Sequence, residues 1–171
     1  MCNDIRSDFM KKTAVLIVGF LVISAFMFTG AFAGVKPPLK PSEKDKCAVC
    51  GMFVAKYPDW VSQIIFRDGA RAFFAGPKDM FKYYVNMKKY DSSKAAANVD
   101  SIYVKDYYSL SFIDARAAWF VMGSDVYGPM GNELVAFEKE AGAKEFLRDH
   151  KGRKILRMKE ITAEILKGLD E

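Results

Sequence analysis

The chain has 171 residues and a formal net charge of +5 at pH 7. Its lysines and arginines are scattered, and no block of basic residues of the kind that follows a phosphate backbone occurs, which excludes nucleic acid as the expected partner. The order of a Ser-His-acid triad and the glycine pattern of a phosphate-binding loop are also missing. The sequence therefore does not predict an enzyme. Most of its aspartates and glutamates are expected to be solvent-exposed and paired with nearby lysines.

Residues 13–33 carry no charge, follow Lys11 and Lys12, and end in Ala31-Phe32-Ala33. A basic flank, an apolar run and small residues at the end predict a signal peptide that is cleaved after Ala33. The alternative is an uncleaved membrane anchor, because about 21 apolar residues are enough to cross a bilayer. Either way, the rest of the chain is expected in the periplasm, as a soluble protein or anchored to the inner membrane.

A lipid anchor would need a cysteine at the cleavage point, where this chain has Gly34. Cys2 lies ahead of the apolar run and cannot serve. The sequence therefore predicts no lipid attachment.

The first half of the exported part predicts a linker, two strands, a helix and a third strand. In order, these cover residues 34–46, Trp60–Phe66, Arg71–Ala75, Pro77–Tyr90 and Ser101–Lys105. Three prolines make the linker extended, and Asp68-Gly69 is typical of a hairpin turn. Proline at the first helical position favours a helix start at Pro77.

The second half repeats this order. The predicted strands are Ala118–Met122, Glu133–Phe137 and Lys154–Met158, with a helix over Lys139–His150 and a short amphipathic helix that ends at Leu169. Two strand-strand-helix-strand units predict an α+β fold with an internal duplication. We expect the first ββαβ unit to cover residues 47–106 and the second to cover 107–171.

The two halves differ in their predicted hairpins. Residues 123–132 separate the second pair of strands and include Gly128, Pro129, Met130 and Gly131. A long, glycine-marked loop in a compact fold is often functional. We therefore expect a functional loop that presents Met130.

The segment from Lys46 to Phe53 places Cys47, Cys50 and Met52 within six positions. A disulfide between the two cysteines would close a very small loop, worth roughly 2 kcal/mol before strain. A structural zinc site usually needs four ligands, and the chain adds only His150, which is better explained as a histidine at a helix C-terminus.

Two interpretations of the cysteine pair remain open. Cys47 and Cys50 could cycle between dithiol and disulfide, although no strand precedes them as in thioredoxin-type motifs. They could instead bind copper(I), because thiolates and thioethers are soft ligands. Met130 is then a candidate third ligand, and Met52 is either a ligand or an apolar neighbour. Met80 and Met87, in the first helix, and Met122, in a strand, are expected to pack in the core.

Several further segments complete a resemblance. They are Cys50-Gly51-Met52, Phe112-Ile113-Asp114-Ala115, Ala118-Trp119-Phe120-Val121, Gly123-Ser124 and Gly128-Pro129-Met130-Gly131, together with the region from Phe137 to His150. In combination they resemble the NosL family of copper-binding accessory proteins, over residues 47–158.

The resemblance implies paired ββαβ units, similar in topology to organomercurial lyase. It also implies a periplasmic copper(I) carrier that supplies nitrous-oxide reductase through membrane-associated assembly proteins. The implied copper ligands are Cys50 and Met130, with Met52 in the same motif. Many members of the family are lipoproteins with a single cysteine before the Gly-Met pair, whereas this chain adds Cys47.

Overall fold

The computed structural model describes residues 36–171, so the predicted signal segment lies outside the described residues. This part contains seven strands and four helices. The strands are Ser62–Phe66 (β1), Arg71–Phe74 (β2), Val99–Lys105 (β3), Phe112–Asp114 (β4), Trp119–Gly128 (β5), Gly131–Phe137 (β6) and Lys154–Arg157 (β7). The helices are Pro77–Val85 (α1), Met87–Tyr90 (α2), Glu140–Asp149 (α3) and Ala163–Gly168 (α4). Within this range no helix combines the length and apolar character that a membrane span requires.

The first sheet is antiparallel, with the strand order β2-β1-β3-β4. Its first hairpin turns at Gly69, whose φ of +89° suits glycine, and the Gly69 N–H donates to the Phe66 carbonyl at 2.9 Å. Every residue of β1 is buried, including the polar Ser62 and Gln63 as well as the apolar residues that follow them. The edge strand β4 was not predicted, because it is only three residues long.

The second sheet has the order β6-β5-β7, which repeats the arrangement of β2, β1 and β3 in the first sheet. In each half a helix separates the second strand of the hairpin from the next strand of the sheet. The predicted α+β fold with two ββαβ units is therefore confirmed.

The prediction of a long loop over residues 123–132 is wrong. Strand β5 continues to Gly128 and β6 begins at Gly131, so only Pro129 and Met130 form the turn. We call these two residues the methionine turn. The register shifts between Met122 and Tyr127, and Gly123 adopts a φ of +73°. A bulge of this kind lets a glycine-containing segment remain within a sheet.

The predicted helix over Pro77–Tyr90 is divided at Asn86, whose φ of −137° and ψ of 52° are not helical. The expected packing of the two methionines is confirmed, because Met80 is 0% exposed and Met87 is 5% exposed. Met122 is only half-buried and packs against the hydrophobic core that the two sheets share.

The ring of Phe81 in α1 packs edge-on against Phe120 in β5, with centroids 5.1 Å apart. This contact lies inside a core that draws buried residues from both sheets. Helix α1 therefore connects the two halves of the fold.

The segment predicted as a linker is extended but attached to the first sheet. Leu39 exchanges two hydrogen bonds with the side chain of Gln63, at 3.1 and 3.0 Å. The Lys36 ammonium donates to the carbonyls of Phe66 and Arg67. The chain therefore reaches Cys47 along a path fixed on the sheet.

Candidate metal centre

The two cysteines are brought together by a tight turn. The Cys47 N–H donates to the Met52 carbonyl at 2.8 Å, and the Gly51 N–H donates to the Cys47 carbonyl at 3.0 Å. Gly51 adopts a φ of +75°, which a residue with a side chain rarely does. The Phe73 carbonyl accepts from the N–H of Ala48 and so fixes the turn to the end of β2. Both cysteines are free thiols.

A carboxylate lies beside the thiol pair. Cys47 Sγ donates to Oδ2 of Asp79, in the first turn of α1, at 3.3 Å. The N–H of Cys50 donates to Cys47 Sγ at 3.4 Å. One ligand atom from each of the three side chains lies within 4.8 Å of the other two. These three residues could therefore hold a metal ion between them.

The site has a closed side and an open side. Cys47 and Asp79 are each 3% exposed, whereas Cys50 is half-buried. An ion held at Cys50 would therefore remain within reach of a ligand from outside the protein.

The surroundings of Cys50 favour its protonated form. Burial raises the pKa of the Cys50 thiol well above its ordinary value, and the hydrogen bond to Asp79 adds to the rise. A hydrogen bond with the backbone of Met52 opposes it only in part. Because metals bind thiolates, a metal ion bound by both cysteines would release the thiol protons.

The two methionines proposed as ligands differ in position. Met52 is half-buried and packs against the hydrophobic core that the two sheets share. Met130 lies in the methionine turn and is 44% exposed. Its carbonyl accepts a hydrogen bond of 2.8 Å from Nζ of Lys78, the residue before Asp79. The turn is thus attached to the helical turn that contacts Cys47.

Three acidic residues do not fit the prediction of solvated pairs, because Asp79, Asp106 and Glu133 are all buried. Glu133 Oε1 accepts from the N–H groups of Lys78 and Leu134, at 2.5 and 2.9 Å. Burial raises the pKa of Glu133 to about 8, against the lowering effect of these hydrogen bonds. The one sequence signal for Asp79 was its place in the first helical turn, where acidic residues are favoured.

His150 lies at the end of α3, as predicted, and its N–H donates to the Phe146 carbonyl at 2.9 Å. Its ring stacks on Phe146, with centroids 4.3 Å apart, and its Nδ1 lies 3.2 Å from Asp125 Oδ1. These contacts account for its position without a metal ion.

Together, the fold and the site define a class of small α+β proteins in which a thiol pair lies beside the first turn of a helix. A family model described as NosL matches residues 38–166. The chain belongs to the NosL family.

Known relatives extend this assignment. The chain is 27% identical over 154 residues to the copper-binding lipoprotein NosL of Stutzerimonas stutzeri, an alignment that covers 85% of this chain and 79% of that protein. It is also similar to the crystal structure of the copper chaperone NosL from Shewanella denitrificans, with a TM-score of 0.64 and 25% identity over 77% of this chain and 98% of that one.

A solution structure of apo-NosL from Achromobacter cycloclastes matches with a TM-score of 0.43 and 26% identity, over 61% of this chain and 87% of that one.

Proposed function

We propose that this protein is an exported copper(I) chaperone that binds the ion and transfers it without catalysing a reaction. The observation that carries the proposal is the free thiol pair of Cys47 and Cys50, fixed by a tight turn with one sulfur buried and the other half-buried. Thiolates select copper(I) over hard cations. The names of the two relatives described above, a copper-binding lipoprotein and a copper chaperone, support copper as the metal.

The ligands in this proposal are Cys47 and Cys50 as thiolates, with the Met130 thioether as a weaker third ligand. Met52 belongs to the same motif and is the alternative thioether. Asp79 offers a hard oxygen, which copper(I) does not prefer. In the protein without metal, Asp79 orients the Cys47 thiol through the hydrogen bond, and this bond is lost when the thiol gives up its proton to bind the ion.

The proposed transfer uses the open side of the site. A copper(I) ion held by two thiolates and one weak thioether keeps room for a ligand from the acceptor, so it can move by ligand exchange. The client that we propose is nitrous-oxide reductase, reached through membrane-associated assembly proteins. This assignment rests on the family, and the place of transfer would be the periplasm, with residues 13–33 either removed or retained as an anchor.

The experiment is a copper(I) titration of the reduced protein against a competing chelator, under nitrogen. The full chain is expressed with its own N-terminal segment and purified in the form that cells produce. We expect one copper ion per chain and weaker binding by Met130→Ala, by about tenfold. Met158→Ala, which removes a half-buried methionine elsewhere, is the control and should bind as the unaltered protein does. Preference for zinc, or unchanged affinity in Met130→Ala, would contradict the proposed ligand set.

A second candidate is a dithiol-disulfide protein, favoured by the closeness of the two free thiols. Exchange is fastest for an attacking thiol whose pKa lies near the ambient pH, whereas burial and Asp79 raise the pKa of Cys50 well above its ordinary value. Rapid reduction of a model disulfide in the absence of metal would favour this candidate over the copper chaperone.

A further inference from the structure

Lys78 is a buried lysine at the second position of α1, and its side chain is 2% exposed. Removing an ammonium group from water is costly unless several acceptors surround it. Lysine is therefore uncommon in such a place, and its partners indicate what the charge contributes.

The ammonium of Lys78 has three partners from two distant segments. It donates to the Met130 carbonyl at 2.8 Å and to the Leu169 carbonyl at 3.4 Å. It also pairs with Asp170 Oδ1 at 3.3 Å. The short contact to Met130 is the one that reaches the methionine turn.

The backbone of Lys78 is bound to the β5–β6 hairpin, which also contains the methionine turn. Its N–H donates to Oε1 of the buried Glu133 in β6, at 2.5 Å. Gly128 approaches Glu133 so closely that a Cβ on Gly128 would lie 2.9 Å from the Glu133 side chain. The two ends of Lys78 thus connect β6 and the methionine turn to α1.

The next residue of the helix completes the connection, because Asp79 accepts the hydrogen bond of Cys47. The first turn of α1 therefore contacts the cysteine pair through one residue and the methionine turn through the other. We propose that Lys78 is a positioning residue, which holds the methionine turn so that Met130 can reach an ion bound by the cysteines. The inference rests on the proposed function, since it needs Met130 to be a ligand.

Met130 needs a positioning residue because a thioether is a weak ligand. Two of the four residues around the turn are glycines, Gly128 and Gly131, and Met130 itself is 44% exposed. Without the Lys78 contact, the turn would be held only by its strand pairing, and any freedom that it gained would have to be lost when copper binds, at the expense of a weak bond. The Lys78 ammonium, bound to the Met130 carbonyl in advance, lowers this cost.

The test compares Lys78→Met with Lys82→Met. Methionine retains an unbranched stem but removes the ammonium and its donors. Lys82 is the matched control, because its Nζ also pairs with Asp170, at 2.7 Å, and its partners in the structure do not include Met130. Copper(I) affinity is measured by chelator competition, and the number of sulfur ligands by X-ray absorption on the loaded proteins.

We expect Lys78→Met to lower copper(I) affinity by about tenfold and to remove one sulfur from the coordination shell, while Lys82→Met keeps both values. Because Lys78 acts through Met130, the double variant Lys78→Met, Met130→Ala should bind no more weakly than Met130→Ala alone. A role confined to stability would lower the melting temperature of Lys78→Met without changing the sulfur count.

The outcomes separate this inference from the proposed function. If Met130→Ala weakens binding but Lys78→Met retains the affinity and sulfur count of the unaltered protein, the positioning role is wrong and the chaperone proposal stands. If the unaltered protein does not bind copper(I), or Met130→Ala has no effect, the proposed copper site itself is wrong.

A measurement on the unaltered chain tests the Lys78–Met130 contact even if Lys78→Met does not fold. In protein labelled with ¹⁵N-lysine, the Lys78 ammonium should exchange its protons slowly, and Lys78→Arg identifies its signal. We expect slow exchange to persist after copper(I) is added, since the contact with Met130 remains. Fast exchange in the loaded protein would overturn the inference.

Discussion

Cys47 Sγ donates a hydrogen bond of 3.3 Å to Oδ2 of Asp79, although the two residues are 32 positions apart in the sequence. Each is 3% exposed, so the contact lies at the closed side of the thiol pair. The carboxylate orients one sulfur through this hydrogen bond. Burial of Cys50, and then its hydrogen bond to Asp79, raise the pKa of the Cys50 thiol and disfavour its thiolate. The Cys50 thiol is therefore held in its protonated form, which is the less nucleophilic one.

Replacement of Cys47 should separate its structural contribution from its contribution to binding. Cys47→Ala leaves the buried Asp79 carboxylate without this donor, at a cost of about 1 to 3 kcal/mol in the free energy of unfolding. Cys47→Ser supplies a hydroxyl donor to Asp79, so its free energy of unfolding should fall by less than that of Cys47→Ala. Both variants should lose copper(I) affinity, because neither alanine nor serine supplies a soft ligand. Urea denaturation and chelator competition measure the two effects, and equal stability losses would contradict the role given to the hydrogen bond.

Asp79→Asn should make Cys50 more reactive. The Asp79 carboxylate raises the pKa of Cys50 through a hydrogen bond and through its charge, so its neutralisation lowers that pKa. At a fixed pH a larger fraction of Cys50 is then thiolate, and alkylation by iodoacetamide becomes faster. Mass spectrometry with fragmentation assigns the alkylated cysteine. Asp59→Asn, at an exposed position, is the control, and equal rates for the two variants would show that Asp79 does not govern the thiol.

Glu133 predicts a pH dependence of stability. Its pKa is raised from 4.5 to about 8 by burial, so the folded protein binds a proton that the unfolded chain has released between these two values. The stability from this group is fully present below pH 4.5 and is lost as the pH rises towards 8. The slope is at most about 1.4 kcal/mol per pH unit.

Glu133→Gln tests this dependence, because glutamine does not titrate. Its free energy of unfolding should fall less between pH 5 and pH 8 than that of the unaltered protein, as measured by denaturant titration at each pH. Glu145→Gln, at an exposed position on α3, should keep the original slope. Parallel curves for Glu133→Gln and the unaltered protein would contradict the buried, protonated state.

Gly51→Ala should disturb the cysteine turn without a steric clash. A Cβ at Gly51 would meet nothing within 4 Å, but the φ of +75° is costly for alanine, about 1 to 2 kcal/mol. Gly168→Ala is the matched control, because it also adds a Cβ in open space but lies within α4, where alanine is favoured over glycine. We expect Gly51→Ala to lower the melting temperature and copper(I) affinity and Gly168→Ala to raise the melting temperature slightly. Unchanged affinity in Gly51→Ala would show that the turn need not keep this backbone conformation.

The amino-acid sequence determined the elements whose signals are local. Apolar runs, the Asp68-Gly69 turn and Pro77 at a helix start are readable within a few residues, so the strand and helix order of both ββαβ units was predictable. The cysteine pair was recognisable from its spacing alone. The local signals were misleading at residues 123–132, where glycines and proline indicate a loop, because the pairing of β5 with β6 was not visible in either strand by itself.

Only the tertiary structure decided which groups meet across long distances in the chain. Asp79 reached the cysteines because α1 begins where β2 ends, next to the Cys47 turn. Lys78 and Glu133 became buried because the β5–β6 hairpin covers the start of that helix. A charged side chain has no periodic pattern to reveal that its partners lie elsewhere. The sequence therefore indicated the sulfur-containing residues proposed as ligands, while the packing of the chain brought the charged residues beside them.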